Sequence, residues 1–163
     1  MTRNSHREKP SALRHSLDAD QVFREYYDQV YRLGLSMSGN SADAQDIAQE
    51  SFLAIFAGLA RFRGDAALST WIYRITVRSG TRWLARKGTT AERPKREAAS
   101  SQALPLDLMK ALGQLPPASR MVIGLVSIEG LSHQEAGEVL GIAPGTVASR
   151  LHHARARLAT LLG

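Results

Sequence analysis

Residues 132–157 read SHQEAGEVLGIAPGTVASRLHHARAR, and this stretch decides how the C-terminal part of the chain folds. Ser132 followed by Glu135 is a capping-box pattern, which predicts a short helix that ends at Gly141. A turn follows, and Thr146 is expected to cap a longer final helix. Two helices joined by a tight glycine turn cross at a steep angle, so the stretch predicts a helix-turn-helix.

The second helix of this pair carries several basic and hydroxyl side chains, and no acidic residue occurs after Glu138. In a helix-turn-helix the second helix enters the DNA major groove, and hydroxyl groups at its N-terminus suit phosphate contacts. The candidate contact residues on this basis are Thr146, Ser149, Arg150, Arg155 and Arg157. An ordinary helical hairpin with solvated arginines is the alternative interpretation.

The sequence that precedes this unit also shows helical periodicity. Apolar residues recur at three-to-four spacing over residues 18–39, and further helices are predicted over residues 42–58 and from about residue 69 to 86. No strand-like alternation occurs, so the predicted class is all-α. The second of these helices is expected to turn the following residues inward: Ile47, Phe52, Leu53, Ile55 and Phe56.

Between the two helical parts lies a segment rich in Ala, Ser, Thr, Pro and charge, with no apolar period. We therefore predict two small helical domains, residues 17–87 and 105–163, joined by a flexible linker over residues 88–104. Residues 1–16 are polar and basic and are predicted to be a mobile extension.

The distribution of charge points to a polyanionic partner. The formal net charge is +6, and basic segments 61–96 and 139–163 alternate with acidic segments 17–60 and 97–138. This alternation suits a protein that touches nucleic acid in two places and protein surfaces in between.

Several function classes are disfavoured by composition. The chain has no cysteine, which excludes disulfides and thiol chemistry, and its five histidines lack metal-ligand spacing. No nucleophile elbow, phosphate loop or paired-carboxylate motif occurs, so we predict no enzymatic activity, no cofactor, no metal and no small-molecule substrate. No apolar stretch resembles a signal peptide or a membrane span, so we expect a cytoplasmic protein that does not insert into membranes.

Residues 144–155, PGTVASRLHHAR, resemble the region-four signature of extracytoplasmic function (ECF) sigma factors. The preceding Leu115-Pro116, Arg120 and Glu129-Gly130-Leu131-Ser132 also match that family's run. The resemblance implies that this domain reads the −35 promoter element, with His152 and His153 joining the candidate contacts, and holds the flap of the polymerase β subunit. The chain departs from the pattern at Ala136-Gly137, where Ile-Ala is usual, and at His153, where Arg is usual. Histidine lacks the forked guanidinium that reads guanine with two bonds.

Residues 44–52, AQDIAQESF, resemble the family's region two, whose helix binds the β′ clamp helices of the polymerase. Gln45 stands where Glu is usual. The resemblance implies a polymerase-binding set that is completed by the preceding acidic residue: Asp43, Asp46, Gln49, Glu50 and Phe52. The three acids are spaced i, i+3 and i+7, so they are predicted to share one outer face. A merely solvated acidic stripe is the alternative.

Residues 61–66, RFRGDA, and 69–75, STWIYRI, resemble the loop and helix with which the family opens the −10 element. The implied contacts are Arg61, Phe62, Arg63, Gly64, Asp65, Trp71, Arg74, Arg78 and Arg82. Arginines at 74, 78, 82 and 86 are spaced by four, which places them on one side of a helix. This stripe is interpreted as a phosphate track, and a generic basic face is the alternative. Arg78 and Arg82 replace a usual Asn and a frequent Asp, and Trp71 is expected to be a core residue first.

The resemblance spans roughly residues 17–87 and 105–162, and it implies an RNA polymerase sigma factor that confers promoter recognition and DNA opening. Its implied partners are the polymerase core, through the β′ clamp helices and β flap, promoter DNA and an inhibitory anti-sigma factor. A stand-alone helix-turn-helix regulator is the alternative. Because the linker leaves the two domains without a fixed separation, we expect the free chain to bind promoter duplex poorly until polymerase sets that separation.

Overall fold

The computed structural model describes residues 18–88 and 104–163, and within these two ranges every regular element is a helix. The all-α prediction is therefore confirmed. The predicted extension 1–16 and almost all of the predicted linker lie outside the described residues. The helices are α1 Ala19–Ser38, α2 Ser41–Leu59, α3 Leu68–Lys87, α4 Leu106–Gly113, α5 Pro117–Val122, a π-helical segment Ile123–Ile128, α6 His133–Leu140 and α7 Pro144–Leu162.

Helices α1 to α3 form the N-terminal half, residues 18–88, and short polar residues set their ends. The Asp18 carboxylate accepts from the Asp20 amide at the start of α1, and Gly39 ends α1 in the left-handed conformation with φ 76°. Asn40 then caps α2, because its side-chain oxygen accepts from the Asp43 amide at 2.8 Å. The break that the sequence predicted near residue 39 is confirmed and is a paired stop and start signal.

The core of the N-terminal half uses one face of α2. It comprises Val22, Val30, Ala48, Phe52, Ile55 and Ile72. The prediction that Leu53 and Phe56 point inward is wrong, since they are 63% and 38% exposed. Leu53 is about 100° around the helix from Phe52 and leaves the buried stripe.

Gly80 lies inside α3, where glycine is costly, and its neighbour on α1 explains it. A Cβ at this position would lie 2.5 Å from Met37 Cε and 2.8 Å from Met37 Sδ. The glycine therefore allows α1 and α3 to approach closely around a methionine that is 1% exposed.

The C-terminal half, residues 104–163, contains the predicted helix-turn-helix in α6 and α7. The Ser132 hydroxyl accepts from the Glu135 amide at 3.1 Å, and Gly141 ends α6 with φ 69°. The prediction that Thr146 caps α7 is wrong: Ala143 occupies the N-cap position without a side-chain cap, and Pro144 is the first helical residue. Proline suits that position because its fixed φ is already helical.

The interior of this unit is the one that the sequence predicted. Ala136, Val139, Val147 and Leu151 are buried, while Leu140 and Ile142 pack half-buried around them. The departure at Gly137 also has a steric reason, because a Cβ there would lie 2.6 Å from the Ile142 carbonyl oxygen. Glycine lets the turn close tightly onto α6.

One apolar cluster crosses from one half to the other. Leu33, Met37 and Tyr73 of the N-terminal half are buried against a set from the C-terminal half that comprises Leu125, Ala136, Val139 and Val147. The expectation that the two halves have no fixed separation in the free chain is therefore wrong for this structure. The apolar residues that join them look, in the sequence, like ordinary core residues of each half.

None of the helices in residues 18–88 and 104–163 is both long enough and apolar enough to cross a membrane.

Candidate nucleic-acid interface

The outer face of α7 is an exposed strip of basic and hydroxyl side chains, which we call the recognition strip. Val147, Leu151 and Ala154 bury the opposite face of the helix and hold it in place. Every residue that the sequence assigned to this surface is exposed: Thr146, Ser149, Arg150, His152, His153, Arg155 and Arg157. A rigid helix that presents such a strip can enter a DNA groove without first rearranging.

Two contacts involve side chains of the recognition strip. Arg155 donates from Nε and Nη2 to the Ser127 hydroxyl oxygen, at 3.3 and 3.1 Å, which orients its guanidinium toward the π-helical segment. The rings of His152 and His153 lie edge to face, with centroids 5.6 Å apart. No cluster of metal-ligating side chains occurs anywhere in the described residues.

The loop between α2 and α3 carries the first part of the predicted −10 surface. Arg61, Arg63, Gly64 and Asp65 are exposed, and Gly64 has φ 80° with open space around it. Phe62 is half-buried, with its ring 5.1 Å from Trp71. The aromatic pair therefore anchors the loop to α3, while its charged residues remain accessible.

The basic stripe on α3, residues Arg74, Arg78, Arg82 and Arg86, is divided by protein contacts. Arg78 and Arg82 are exposed. Arg74 is half-buried and donates from Nε to the Glu138 carbonyl oxygen at 3.1 Å, while Arg86 pairs with Glu50 on α2. In the predicted phosphate track, the two central arginines are thus exposed, and the two at its ends form contacts with other parts of the protein.

A cleft of about 680 Å³ separates the α2–α3 loop from α6. Arg74 and Asp65 line it from the N-terminal half, and Glu135 and Glu138 line it from the C-terminal half. Three carboxylates around one guanidinium make this cleft unfavourable for a phosphate backbone as it stands.

The predicted polymerase-binding residues on α2 differ in exposure: some are buried and others are accessible to solvent. Asp43 does not share the outer face, because its side chain is 2% exposed, accepts from Asn40 Nδ2 at 2.6 Å and pairs with Lys87. Phe52 is 3% exposed and belongs to the core. The end of α3 covers the Asp43 edge of α2, which spacing along α2 alone could not reveal. Gln49 is exposed, and Asp46 and Glu50 are partly exposed.

An apolar groove of about 350 Å³ between α1 and α2 was missed by the sequence reasoning. Its rim exposes Phe23, Leu53 and Phe56, which are 40%, 63% and 38% accessible, and Gln49 lies beside them. Phe52 forms its floor, with its ring 4.9 Å from that of Phe23 in an edge-on arrangement. The signal was present in the sequence, since residues 49, 53 and 56 share one helix face.

A buried ion pair joins the two halves. Arg32 on α1 donates from Nε and Nη2 to the two Glu129 carboxylate oxygens at 2.8 and 3.1 Å, and the Tyr73 hydroxyl donates to the same carboxylate at 3.1 Å. The Glu129 side chain is 3% exposed. Burial and the Glu129 charge raise the pKa of Tyr73, and the hydrogen bond to Glu129 raises the pKa of Arg32. These residues lie far apart in sequence, so no spacing rule predicts the contact.

Two family models together match nearly all of the residues that the structure describes. The models for Sigma-70 region 2 and Sigma-70 region 4 match residues 22–90 and 106–158. The ECF RNA polymerase sigma factor SigM of Mycobacterium tuberculosis is 35% identical over 150 residues, which cover 88% of this chain and 76% of SigM. The chain belongs to the ECF sigma factor family.

Other ECF sigma factors show the same relationship. SigE of Mycolicibacterium smegmatis is 35% identical over 85% of this chain, and the match spans 59% of SigE. Among solved structures, the sigma factor RpoE of Bartonella quintana, in complex with the anti-sigma factor NepR, has a TM-score of 0.75 and 26% identity over 88% of this chain and 95% of that chain. CnrH, in complex with the cytosolic domain of CnrY, has a TM-score of 0.69 over 93% of this chain. These matches span both halves of the chain.

Proposed function

We propose that this ECF sigma factor directs RNA polymerase core to promoters, with residues 18–88 and 104–163 acting as its two functional domains. The observation that carries the proposal is the recognition strip of α7, whose basic and hydroxyl residues are all exposed on a helix-turn-helix. The fully buried reverse face of that helix fixes its orientation. The strip would read the −35 element, with the same domain held at the β flap.

Within the recognition strip, Arg150 is the arginine nearest the front of the helix and a proposed base or phosphate contact. Thr146 and Ser149 precede it, where α7 begins and hydroxyl groups can donate to phosphate oxygens. His153, in the place of the usual Arg, offers one hydrogen bond instead of a fork, so we expect tolerance of more than one base at its contact.

The −10 element would bind the loop and the exposed part of the α3 stripe. Arg61 and Arg63 supply charge beside the open Gly64, and Arg78 and Arg82 extend the charge along α3. A basic groove bordered by aromatic side chains is how proteins hold single-stranded bases. DNA opening would therefore proceed by capture of the separated strand on this surface, with no covalent chemistry.

The polymerase clamp would dock on α2. The apolar groove between α1 and α2 supplies exposed aromatic and aliphatic side chains, and the partly exposed carboxylates of Asp46 and Glu50 border it. An apolar centre with a polar rim is the usual anatomy of a protein interface. Asp43 and Phe52 would support this surface from behind, since the first fixes the start of α2 and the second forms the groove floor.

Three further elements belong to the same proposal. The chain would act in the cytoplasm, where the polymerase and the chromosome are, and would bind rather than catalyse. An anti-sigma factor is a proposed partner, because a solved structure of similar fold is a sigma factor bound to one. No cofactor is needed for any of these steps.

Run-off transcription tests the proposal. Purified core polymerase is combined with the full chain on genomic fragments, and promoter-specific transcripts are expected only when both are present. Leu53→Asp, which puts a charge on the groove rim, should abolish capture of the chain by core, whereas Glu25→Gln on exposed α1 surface should not. Tight binding of promoter duplex by the free chain, with no transcript from the mixture, would instead establish a stand-alone regulator.

A further inference from the structure

The recognition strip of α7 carries two adjacent histidines at its middle. His152 and His153 are both exposed, and their rings lie edge to face with centroids 5.6 Å apart. Ser149 and Arg157 lie four residues before and after His153, which is about one helical turn in each direction. His153 therefore shares the outer face of α7 with a hydroxyl group on one side and a guanidinium on the other.

A histidine offers DNA a different contact in each of its two protonation states. The neutral ring has one N–H donor and one acceptor nitrogen, whereas the protonated ring has two N–H donors and a positive charge. Histidine is the side chain that ordinarily gains this charge between about pH 8 and pH 5. The two donors diverge, so the charged ring suits a single anionic oxygen better than the paired acceptors of a guanine edge.

The arginines of the strip leave room for such a contact at its middle. Arg155 donates from Nε and Nη2 to the Ser127 hydroxyl oxygen, so its guanidinium is directed toward the π-helical segment. Arg150 and Arg157 lie about one turn before and after His153. A duplex that is held by these two arginines would come close to the ring that lies between them.

No carboxylate of the protein is paired with either ring in the described parts of the chain. Helix α7 packs against α4, α5, the π-helical segment and α6. The charged or titratable residues on these elements and directly after the π-helical segment are Asp107, Lys110, Arg120, Glu129, His133, Glu135 and Glu138. Glu129 is engaged by Arg32, and no described ion pair or hydrogen bond joins any member of this set to His152 or His153. A positive charge on either ring is therefore available to DNA.

We propose that His152 and His153 form a proton-dependent contact with a phosphate of the promoter, so that the affinity of the recognition strip for DNA rises as the pH falls. The proposal rests on the proposed role of α7 in DNA binding. A phosphate close to an imidazole favours its charged form, and by linkage the charged form favours bound DNA. At higher pH the contact is reduced to one neutral hydrogen bond for each ring.

Fluorescence anisotropy of a labelled duplex of random sequence tests the contact, because phosphate contacts do not depend on sequence. The full chain is titrated onto this duplex at low salt, at about pH 8 and at about pH 5.5. The affinity should rise roughly fivefold for each ring that contacts DNA, since a hydrogen bond to a charged group is stronger than a neutral one by about that factor. The dependence of log affinity on log salt should also steepen by about one for each new phosphate contact.

Variants at exposed positions assign the effect to the two rings. His152→Gln combined with His153→Gln should remove most of the gain at low pH, whereas His133→Gln at the start of α6 is the matched control and should keep it. His153→Arg carries a permanent charge, so it should bind tightly at both pH values. Circular dichroism shows whether each variant keeps its helices. A double variant that retains the full gain would overturn the proposal.

Nuclear magnetic resonance gives a second measurement, which does not depend on affinity. The ring protons of the histidines are followed over the same pH range with and without the duplex. Addition of DNA should move the midpoint of protonation of His153 to higher pH and leave that of His133 unchanged. An unchanged midpoint for both His152 and His153 would overturn the contact, even if the affinity varied with pH for another reason.

The possible outcomes separate this contact from the proposed function. With core polymerase present, a promoter found by run-off transcription should show the same dependence on the two histidines. A gain on that promoter without a gain on the random duplex would place a ring on a base edge and overturn the phosphate contact. DNA binding that does not vary with pH would overturn the histidine contact and leave the role of α7 standing. Absence of DNA binding at either pH would overturn both.

Discussion

The two basic surfaces of this ECF sigma factor both carry several arginines but have different surroundings. On α7 the recognition strip is exposed along its length. On α3, Arg74 donates a hydrogen bond to a carbonyl oxygen of α6, and Arg86 forms an ion pair with a carboxylate of α2. The difference shows that the charge on a helix face does not by itself determine whether DNA can reach it. A carbonyl of the C-terminal half engages Arg74, a carboxylate of the N-terminal half engages Arg86, and the residues of the recognition strip stay exposed.

The largest expected effect is that of Leu33→Ala on the packing of the C-terminal half against the N-terminal half, which is the packing that engages Arg74. Leu33 is fully buried in the cluster that joins the halves, so its truncation should lower the free energy of unfolding by about 2–5 kcal/mol. The exposed Leu53→Ala on α2 should change it by less than about 0.5 kcal/mol. Urea denaturation followed by circular dichroism measures both. Equal effects from the two changes would mean that the shared cluster contributes little.

The next largest effect separates the two DNA surfaces. With polymerase present, Arg150→Ala should weaken −35 binding by about 1–3 kcal/mol, the value of one good side-chain contact to a base. Arg74→Ala should act differently, because it removes a proposed −10 contact and also the hydrogen bond from α3 to the Glu138 carbonyl oxygen of α6. Its loss of transcript should therefore be accompanied by a lower free energy of unfolding of the free chain. Promoter competition assays and urea denaturation of the free chain distinguish the two variants, and identical behaviour would argue against the difference between the surfaces.

Tyr73→Phe tests the contact between the two halves, and its expected effect is smaller. Loss of its hydrogen bond to Glu129 should cost about 0.5–1.5 kcal/mol at neutral pH. Burial raises the pKa of Tyr73 above its ordinary value of 10.0, so its neutral form is favoured in the folded chain. The stability that this shift contributes is complete below about pH 10 and declines as the pH rises above it. The variant should therefore lose less stability between pH 9 and 11 than the parent chain, as denaturation at several pH values will show.

The smallest expected effect concerns the other end of the α3 stripe. The Arg86 and Glu50 side chains are 59% and 39% exposed, so Arg86→Ala should change stability by no more than about 0.5 kcal/mol. It frees the Glu50 carboxylate, whereas Glu50→Gln removes its charge. If Glu50 binds polymerase, the first change should preserve or improve capture by core, and the second should weaken it severalfold. Capture assays at low salt test this pair, and a loss with Arg86→Ala alone would assign the contact to the arginine.

Much of the fold could be predicted because its signals are local. Caps at Asn40 and Ser132 and left-handed glycines at 39 and 141 bound helices whose limits the sequence indicated within a few residues. The interior of the helix-turn-helix followed from apolar spacing alone. The start of α7 was misplaced, because Pro144 begins the helix without the side-chain cap that Thr146 suggested.

The parts that escaped prediction depend on contacts between distant residues. Asp43 has the spacing of an outer-face acid, but Lys87 at the end of α3 covers it. Arg32 and Glu129 look like two unrelated surface charges until the halves meet. The candidate site could thus be predicted as a set of residues, whereas the accessibility of each residue required the tertiary arrangement.

The side chain that packs closely against Gly80, that of Met37, contains a thioether that can be oxidised. Met37 is 1% exposed and lines a cavity of about 250 Å³ at the contact between the halves, so its sulfur is largely shielded from solvent. Oxidation to the sulfoxide makes the side chain polar, and a polar side chain without a partner is costly in that apolar cluster. Oxidation of Met37 would therefore weaken the packing between the halves until a reductase removed the added oxygen.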